Sequence, residues 1–322
     1  MSDFKHEHEA FLAGHNGTSF LEIGALTSIP CIGCFSREII LIFMLDLDGI
    51  SKRRRFLLDF LTLVMPSAIA ATLMSNHIVY ICAFLLAVSL LAYWIGLKRN
   101  VMDLHSLHMA NLSEQKLCIV WYRSIVNLMT AIAILAVDFP IFPRRLAKSE
   151  TYGFGGMDNG VGFFVIANAI VSPEARGKHC QIPVFIQLKH SFKGCIPIML
   201  LGFVRLIAVK GTDYHEHVTE YGVHWNFFFT LAALRLMSTL LYCLICVDQS
   251  MLIGLAITVL QQLLLSLCGL SNYIINGSEG TGSRVGIFDA NREGILSIPG
   301  YLAIYLFGVA IGQFFFEKRF VF

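Results

Sequence analysis

Charge is what this sequence has least of. Only 14% of its 322 residues are Asp, Glu, Lys or Arg, while 56% are apolar. Soluble domains run near a quarter charged and somewhat under half apolar, so there is too little charge here to coat an aqueous surface. Net charge is almost absent too. The 24 basic and 22 acidic residues leave +2, which offers no field to draw a nucleic acid. A basic leader is missing: residues 1–19 are polar, lean acidic and hold three His, and do not read as a cleaved signal peptide. No polar stretch is long enough for a soluble domain, and no internal repeat suggests the inverted halves of a transporter. The nine cysteines lie mostly singly in apolar runs, so no disulfide framework is implied. Cys31 and Cys34 form a lone C-x-x-C inside an apolar stretch, without the second pair that a zinc site needs.

Lipid-length apolar sequence is what remains. There are 26 Phe and the mean hydropathy is +0.68. A helix needs about 20 apolar residues to cross the hydrocarbon layer. On that measure the chain is an all-α, polytopic transmembrane helix bundle of about nine spans. They fall at roughly 20–45, 56–75, 77–97, 117–137, 157–172, 191–209, 222–247, 251–275 and 299–316. Residues 1–322 read as a single multi-pass membrane domain, which includes an N-terminal polar tail, 1–19.

The basic residues orient the bundle. Ser51-Lys52-Arg53-Arg54-Arg55 is the densest positive cluster, and the positive-inside rule makes it cytosolic, with the N-terminus lumenal. Alternation then puts 98–116, 173–193 and Lys318-Arg319 in the cytosol, and 138–157, 210–221 and 276–298 on the lumenal side. The sequons Asn16-Gly17-Thr18 and Asn276-Gly277-Ser278 fall on the lumenal side, and Asn111-Leu112-Ser113 on the cytosolic side. The lumenal connectors hold most of the His, Asp, Glu, Gly and Tyr near lipid, so the chemistry is expected there.

Three segments could carry it. In Val137–Gly153, Asp138 closes an apolar span and Pro140 and Pro143 break the helix straight after it. The turn that follows bears Arg144, Arg145 and Lys148. A carboxylate partly withdrawn from water is a better general base near neutral pH, and a nearby lysine can hold it ionised or stabilise an oxyanion. A helix end with cations meeting lipid headgroups accounts for the same residues. In Gly153–Asn168 the glycines permit close helix contact. Asp158 and Asn168 are open to either packing or substrate binding, and the dinucleotide fingerprint is not matched. In Lys210–Asn226, Asp213, His215, His217, Glu220 and His224 crowd beside an apolar span. The three- and four-residue spacings of His217, Glu220 and His224 would align them on one helix face, for proton transfer, metal or a polar network that holds a headgroup. Among the arginines inside apolar spans, Arg123 lies deepest and is expected to pair with a carboxylate.

These segments, read in order with Asn16-Gly17-Thr18-Ser19 and Ala290-Asn291-Arg292-Glu293-Gly294-Ile295, resemble the GPI-anchor inositol acyltransferases, the PIG-W and Gwt1 proteins. The resemblance runs over nearly the whole chain. It implies an enzyme of the endoplasmic reticulum that moves a fatty acyl group, typically palmitoyl, from acyl-CoA to the inositol 2-hydroxyl of glucosaminyl-phosphatidylinositol. The implied partners are those two substrates and membrane lipids, with acyl-CoA as co-substrate, no bound cofactor, no metal and no nucleic acid. In that frame Asp138 is the candidate general base, Lys148 its partner or the oxyanion stabiliser, and His217 the rival base. Arg144 and Arg145 would hold substrate phosphates, and Asp158, Asn168, Asp213, His215 and His224 would line or brace the site. Family members continue for several more helices, so the chain reads as shortened at its C-terminal end. Two other classes stay open: a lipid or solute transporter or flippase, and a truncated, inactive paralogue that binds the lipid.

Overall fold

The structure is a computed structural model that describes residues 11, 16–43, 51–98, 112–150, 152–177, 183–211 and 218–316. Among them the regular structure is helical, interrupted only by isolated β-bridges of Gly17 and Thr18 with Phe154. Helices occupy all nine expected positions. Among the described residues six stretches are long and apolar enough to cross a membrane: Phe20–Phe43, Ser75–Lys98, Leu117–Ala136, Val184–Gly211, Val247–Leu267 and Arg292–Phe316. The other three positions differ in kind. Lys52–Asp59 runs through a π-turn, Phe60–Val64, into Met65–Ala71. Asp158–Ala169 has 12 residues and Phe227–Tyr242 has 16. We number the longer helices α1 (Phe20–Phe43), α2 (Lys52–Ala71), α3 (Ile78–Lys98), α4 (Leu112–Ala136), α5 (Asp158–Ala169), α6 (Val184–Gly211), α7 (Phe227–Tyr242), α8 (Ser250–Leu267) and α9 (Ile298–Phe316). They fall into two compact units, Met1–Gly160 and Val161–Phe322.

In the first unit, Ile23, Leu26 and Ile29 of α1 form a buried cluster with Ala70 and Ala71 of α2, Ile78 of α3, and Phe142, Leu146 and Ala147. The π-turn has a chemical cause. Pro66 carries no N–H to give the Thr62 carbonyl, and the Met65 N–H reaches back five residues to Phe60 O. Gly33 of α1 fits against that Thr62 oxygen, where a Cβ would stand 2.2 Å away. In lipid, where apolar surface alone does not drive helices together, such close approach is what packs them. Ser36 and Ser89 hydroxyls add a 2.6 Å hydrogen bond between α1 and α3. Arg37, inside an apolar span, has carboxylate partners: it lies 2.5 Å from Asp59 and from Glu38 and 4.7 Å over the Trp121 ring. Arg123, expected to pair with a carboxylate, is exposed on α4.

In the second unit, Gly202 of α6 receives the Phe229 ring of α7, and Cys195 Sγ donates to Ala232 O at 3.5 Å. Gly308 and Gly312 of α9, four residues apart, admit Ala169 and the Ile170 backbone at distances that exclude a Cβ. Leu306 and Val309 of α9, Val165 of α5 and Leu234 of α7 fill the core beside them. The seventh expected span begins at Phe227 rather than 222, because Asn226 caps the helix. Its Oδ1 accepts from Phe228 N and Phe229 N, and its Nδ2 donates to Gly202 O at 3.0 Å. The eighth is cut at Gly269, whose φ of 72° turns the chain before a separate helix, Leu270–Asn276.

Candidate functional site

The first polar centre sits on the turn between α4 and α5. Pro140 and Pro143 cannot continue α4, and the chain folds back through Phe142 N–Phe139 O (3.1 Å) into a 3₁₀ turn, Arg144–Leu146. Leu146 and Ala147 are buried and anchor the turn in the apolar cluster. Asp138 is exposed at the lip, so the protein itself does not withdraw it from water. Arg144 ties the turn to that lip: its Nη1 donates to Val137 O at 2.6 Å, and its guanidinium lies 4.6 Å over the Phe11 ring. Burial lowers the basicity of Arg144, and the Asp138 charge works in the opposite direction. Its Nε has no acceptor among the described residues.

Arg145, expected to hold a phosphate, is instead engaged with protein. Nε and Nη2 meet Glu22 Oε1 at 3.1 and 3.0 Å, and Nη2 also reaches Ser75 O (2.9 Å) and Asn76 Oδ1 (3.2 Å). Glu22 Oε2 accepts the Thr18 hydroxyl as well. Lys148 is half-buried between Ala147 and Ser149. Asp158 fixes this stretch: its Oδ2 accepts from Ser149 N (3.2 Å), Ser149 Oγ (2.8 Å) and Gly155 N (2.8 Å). Gly153 (φ 146°) passes so close to Asn16 O that a Cβ would stand 1.9 Å away, and Thr18 N donates to Phe154 O at 2.7 Å. The sequence-predicted residues Asp138, Arg144, Arg145 and Lys148 thus share the connector between α4 and α5, and Asp158, which opens α5, is tied to it through Ser149.

The second centre is at one end of the second unit. Asp213, His215 and His217 lie outside the described residues. Glu220 is in a short helix, Val218–Tyr221, which Gly222 ends with a φ of 99°. His224 therefore does not continue the Glu220 helix face, contrary to the spacing argument. Its Nδ1 is 3.1 Å from Lys210 Nζ, so the ammonium donates and the ring is the acceptor at that nitrogen. Asn168 is exposed on α5 and donates to Phe164 O of its own helix. Asn291 shapes the turn: its Oδ1 accepts from His224 N (2.7 Å) and Trp225 N (2.9 Å), and Val223 N donates to Ala290 O. Beneath it Arg292, 1% exposed, donates to Ile274 O, Ser283 O and Ile275 O and pairs with Asp289 at 3.3 Å. Arg284 grips Glu293 through both carboxylate oxygens at 2.9 and 2.6 Å. Desolvation alone would raise the Asp289 carboxyl. The Val285 N–H, the Tyr273 hydroxyl and Arg292 outweigh it and hold it below the ordinary carboxylate range.

Residue-by-residue reading of the sequence assigned no role to Glu22, Arg284, Asp289, Asn291, Arg292 or Glu293. For the residues between 284 and 293 the available signal was the Asn291-Arg292-Glu293 run directly before an apolar span, where buried charge demands partners; Glu22 had none.

Fold and polar centres together define a polytopic helical membrane protein with a structured polar centre in each unit. A model of the GWT1 family matches residues 4–321, and the chain belongs to that family. It is 41% identical, over 98% of its length, to the glucosaminyl-phosphatidylinositol-acyltransferase PIGW of Bos taurus, of which it covers 65%. It is 38% identical to the protein of that name from Homo sapiens, again over 98% of this chain and 65% of the relative. The GPI-anchored wall transfer protein 1 of Kluyveromyces lactis is 36% identical over 98% of this chain and 68% of its own length. The chain thus spans 65% of the length of its bovine and human relatives.

Proposed function

We propose that this chain carries the transfer centre of a glucosaminyl-phosphatidylinositol acyltransferase. It takes a fatty acyl group, palmitoyl in the first instance, from acyl-CoA and places it on the inositol 2-hydroxyl, in GPI-anchor synthesis at the endoplasmic reticulum. The observation that carries the reading is the 38–41% identity, over nearly the whole chain, to mammalian proteins named for this activity. The position of Asp138, Arg144 and Lys148 on one connector that follows an apolar helix and holds Pro140 and Pro143 supports it.

In the reaction, Asp138 draws the proton from the 2-hydroxyl as its oxygen attacks the thioester carbonyl. The Lys148 ammonium stabilises the tetrahedral oxyanion. Collapse breaks the carbon–sulfur bond, and the CoA thiolate leaves with the proton that Asp138 took. Arg144, whose guanidinium binds Val137 O through Nη1, is the candidate to meet a substrate phosphate. His217 is the alternative base, from the histidine-rich segment. The basic loop 51–55 supports a lumenal N-terminus, and with it a lumenal position for the Asp138 turn.

Expression in cells that lack the endogenous activity tests the reading. The chain should restore GPI-anchored protein at the cell surface and yield a glucosaminyl-phosphatidylinositol that is heavier by one acyl group. A correctly inserted chain that leaves the lipid unacylated contradicts it.

A further inference from the structure

We infer that Glu22, in the first turn of α1, is a positioning residue for the transfer reaction: through Arg145 it holds the turn that carries Lys148 at the helix end that carries Asp138. This rests on the acyltransferase reading above and adds to it a residue far away in sequence.

The geometry is that of a three-way clamp. One guanidinium joins α1 through Glu22, the segment before α3 through Ser75 O and Asn76 Oδ1, and its own turn. A fork is needed for this, since Nε and Nη2 address the carboxylate side by side while Nη2 also serves the other two acceptors. The clamp stands between the two reacting groups along the chain. On one side of it, Arg144 Nη1 binds Val137 O, next to Asp138. On the other, buried Leu146 and Ala147 lead directly to Lys148. Leu146 packs in the same cluster as Ile23 and Leu26 of α1. Loss of the Glu22 charge therefore leaves the turn anchored by its apolar side chains but frees its rotation about that anchor. Side-chain exposures of 33% for Arg145 and 16% for Glu22 place the pair at the rim of the fold, where its removal is survivable. Its value is in orientation, and small misplacement of reacting groups is expensive in rate, about a hundredfold for about 1 Å.

A kinetic double-mutant cycle in membranes tests this, with the full chain and its Glu22→Gln, Arg145→Gln and doubly substituted forms. Each single change should lower kcat by about tenfold or more and leave KM for glucosaminyl-phosphatidylinositol within about twofold. The double variant should be no worse than the poorer single one, because both changes open the same clamp. Protein amount and melting temperature should stay near wild type in all forms, and Arg145→Lys should be as slow as Arg145→Gln. Wild-type kcat in Glu22→Gln overturns the inference. So does a rise in KM with Arg145→Gln alone, which would make Arg145 a phosphate ligand. Activity that falls only in step with protein amount or melting temperature overturns it as well, since that is a purely structural role. An inactive wild-type chain overturns the acyltransferase reading, and the inference falls with it.

Discussion

Asp158 shows how a polar residue beside a reactive turn can act through its neighbours. Three donors occupy one of its carboxylate oxygens, and two of them belong to Ser149, next to Lys148. Asp158→Ala should strand those donors and destabilise the fold by about 1–3 kcal/mol, with a fall in kcat. Asp158→Asn, which keeps an acceptor oxygen, should lose less of both. Thermal melts in detergent beside acyl-transfer rates check this; equal rates for Ala and wild type would remove Asp158 from the argument. Asp138→Asn should lower kcat by about 10²–10⁴ without changing stability, as loss of a general base does. At this scale the sequence showed which residues gather on the turn but not what each one touches. Arg145 reads as a phosphate ligand because Glu22 lies more than a hundred residues away, and nothing local announces the pair.

Elements were legible wherever the membrane dictates them. Every expected span holds a helix, and six of them in the described residues reach the apolar length of about 20 residues that crossing lipid demands, whatever their tertiary contacts. Boundaries escaped where one residue decides the backbone: Asn226 as a cap, Gly269 and Gly222 at positive φ. The α1–α2 contact escaped for a related reason. It depends on Pro66 distorting its helix and on Gly33 lying against the Thr62 carbonyl. Gly33→Ala should force those helices apart and destabilise by about 1–3 kcal/mol, read as a lower melting temperature; an unchanged melt would mean that the contact is loose.

The buried Asp289–Arg292 pair gives the second unit an acid limit. A carboxyl held below its unfolded value, near 3.9, contributes stability that is complete above that value. The contribution is lost as pH falls through the lower folded one. Wild type should therefore lose melting temperature below about pH 4. Asp289→Asn should begin less stable at neutral pH and approach wild type in acid. A gap between the two that stays constant from pH 7 to pH 3 would contradict the assignment.

For the whole molecule, low charge, high hydropathy and an asymmetric distribution of Lys and Arg determine the class of protein and an expected orientation. If the N-terminus is lumenal, glycan mapping with single-sequon variants should find Asn16 or Asn276 modified and Asn111 bare. The reverse pattern would invert the bundle. The central claim is that this chain acylates inositol through Asp138. Its most direct test is acyl transfer in isolated membranes, given acyl-CoA and radiolabelled glucosaminyl-phosphatidylinositol, from wild type and Asp138→Asn at matched expression. Acylated lipid is expected from wild type and almost none from Asp138→Asn. Equal product from both, or none from a stable wild-type protein, would contradict it.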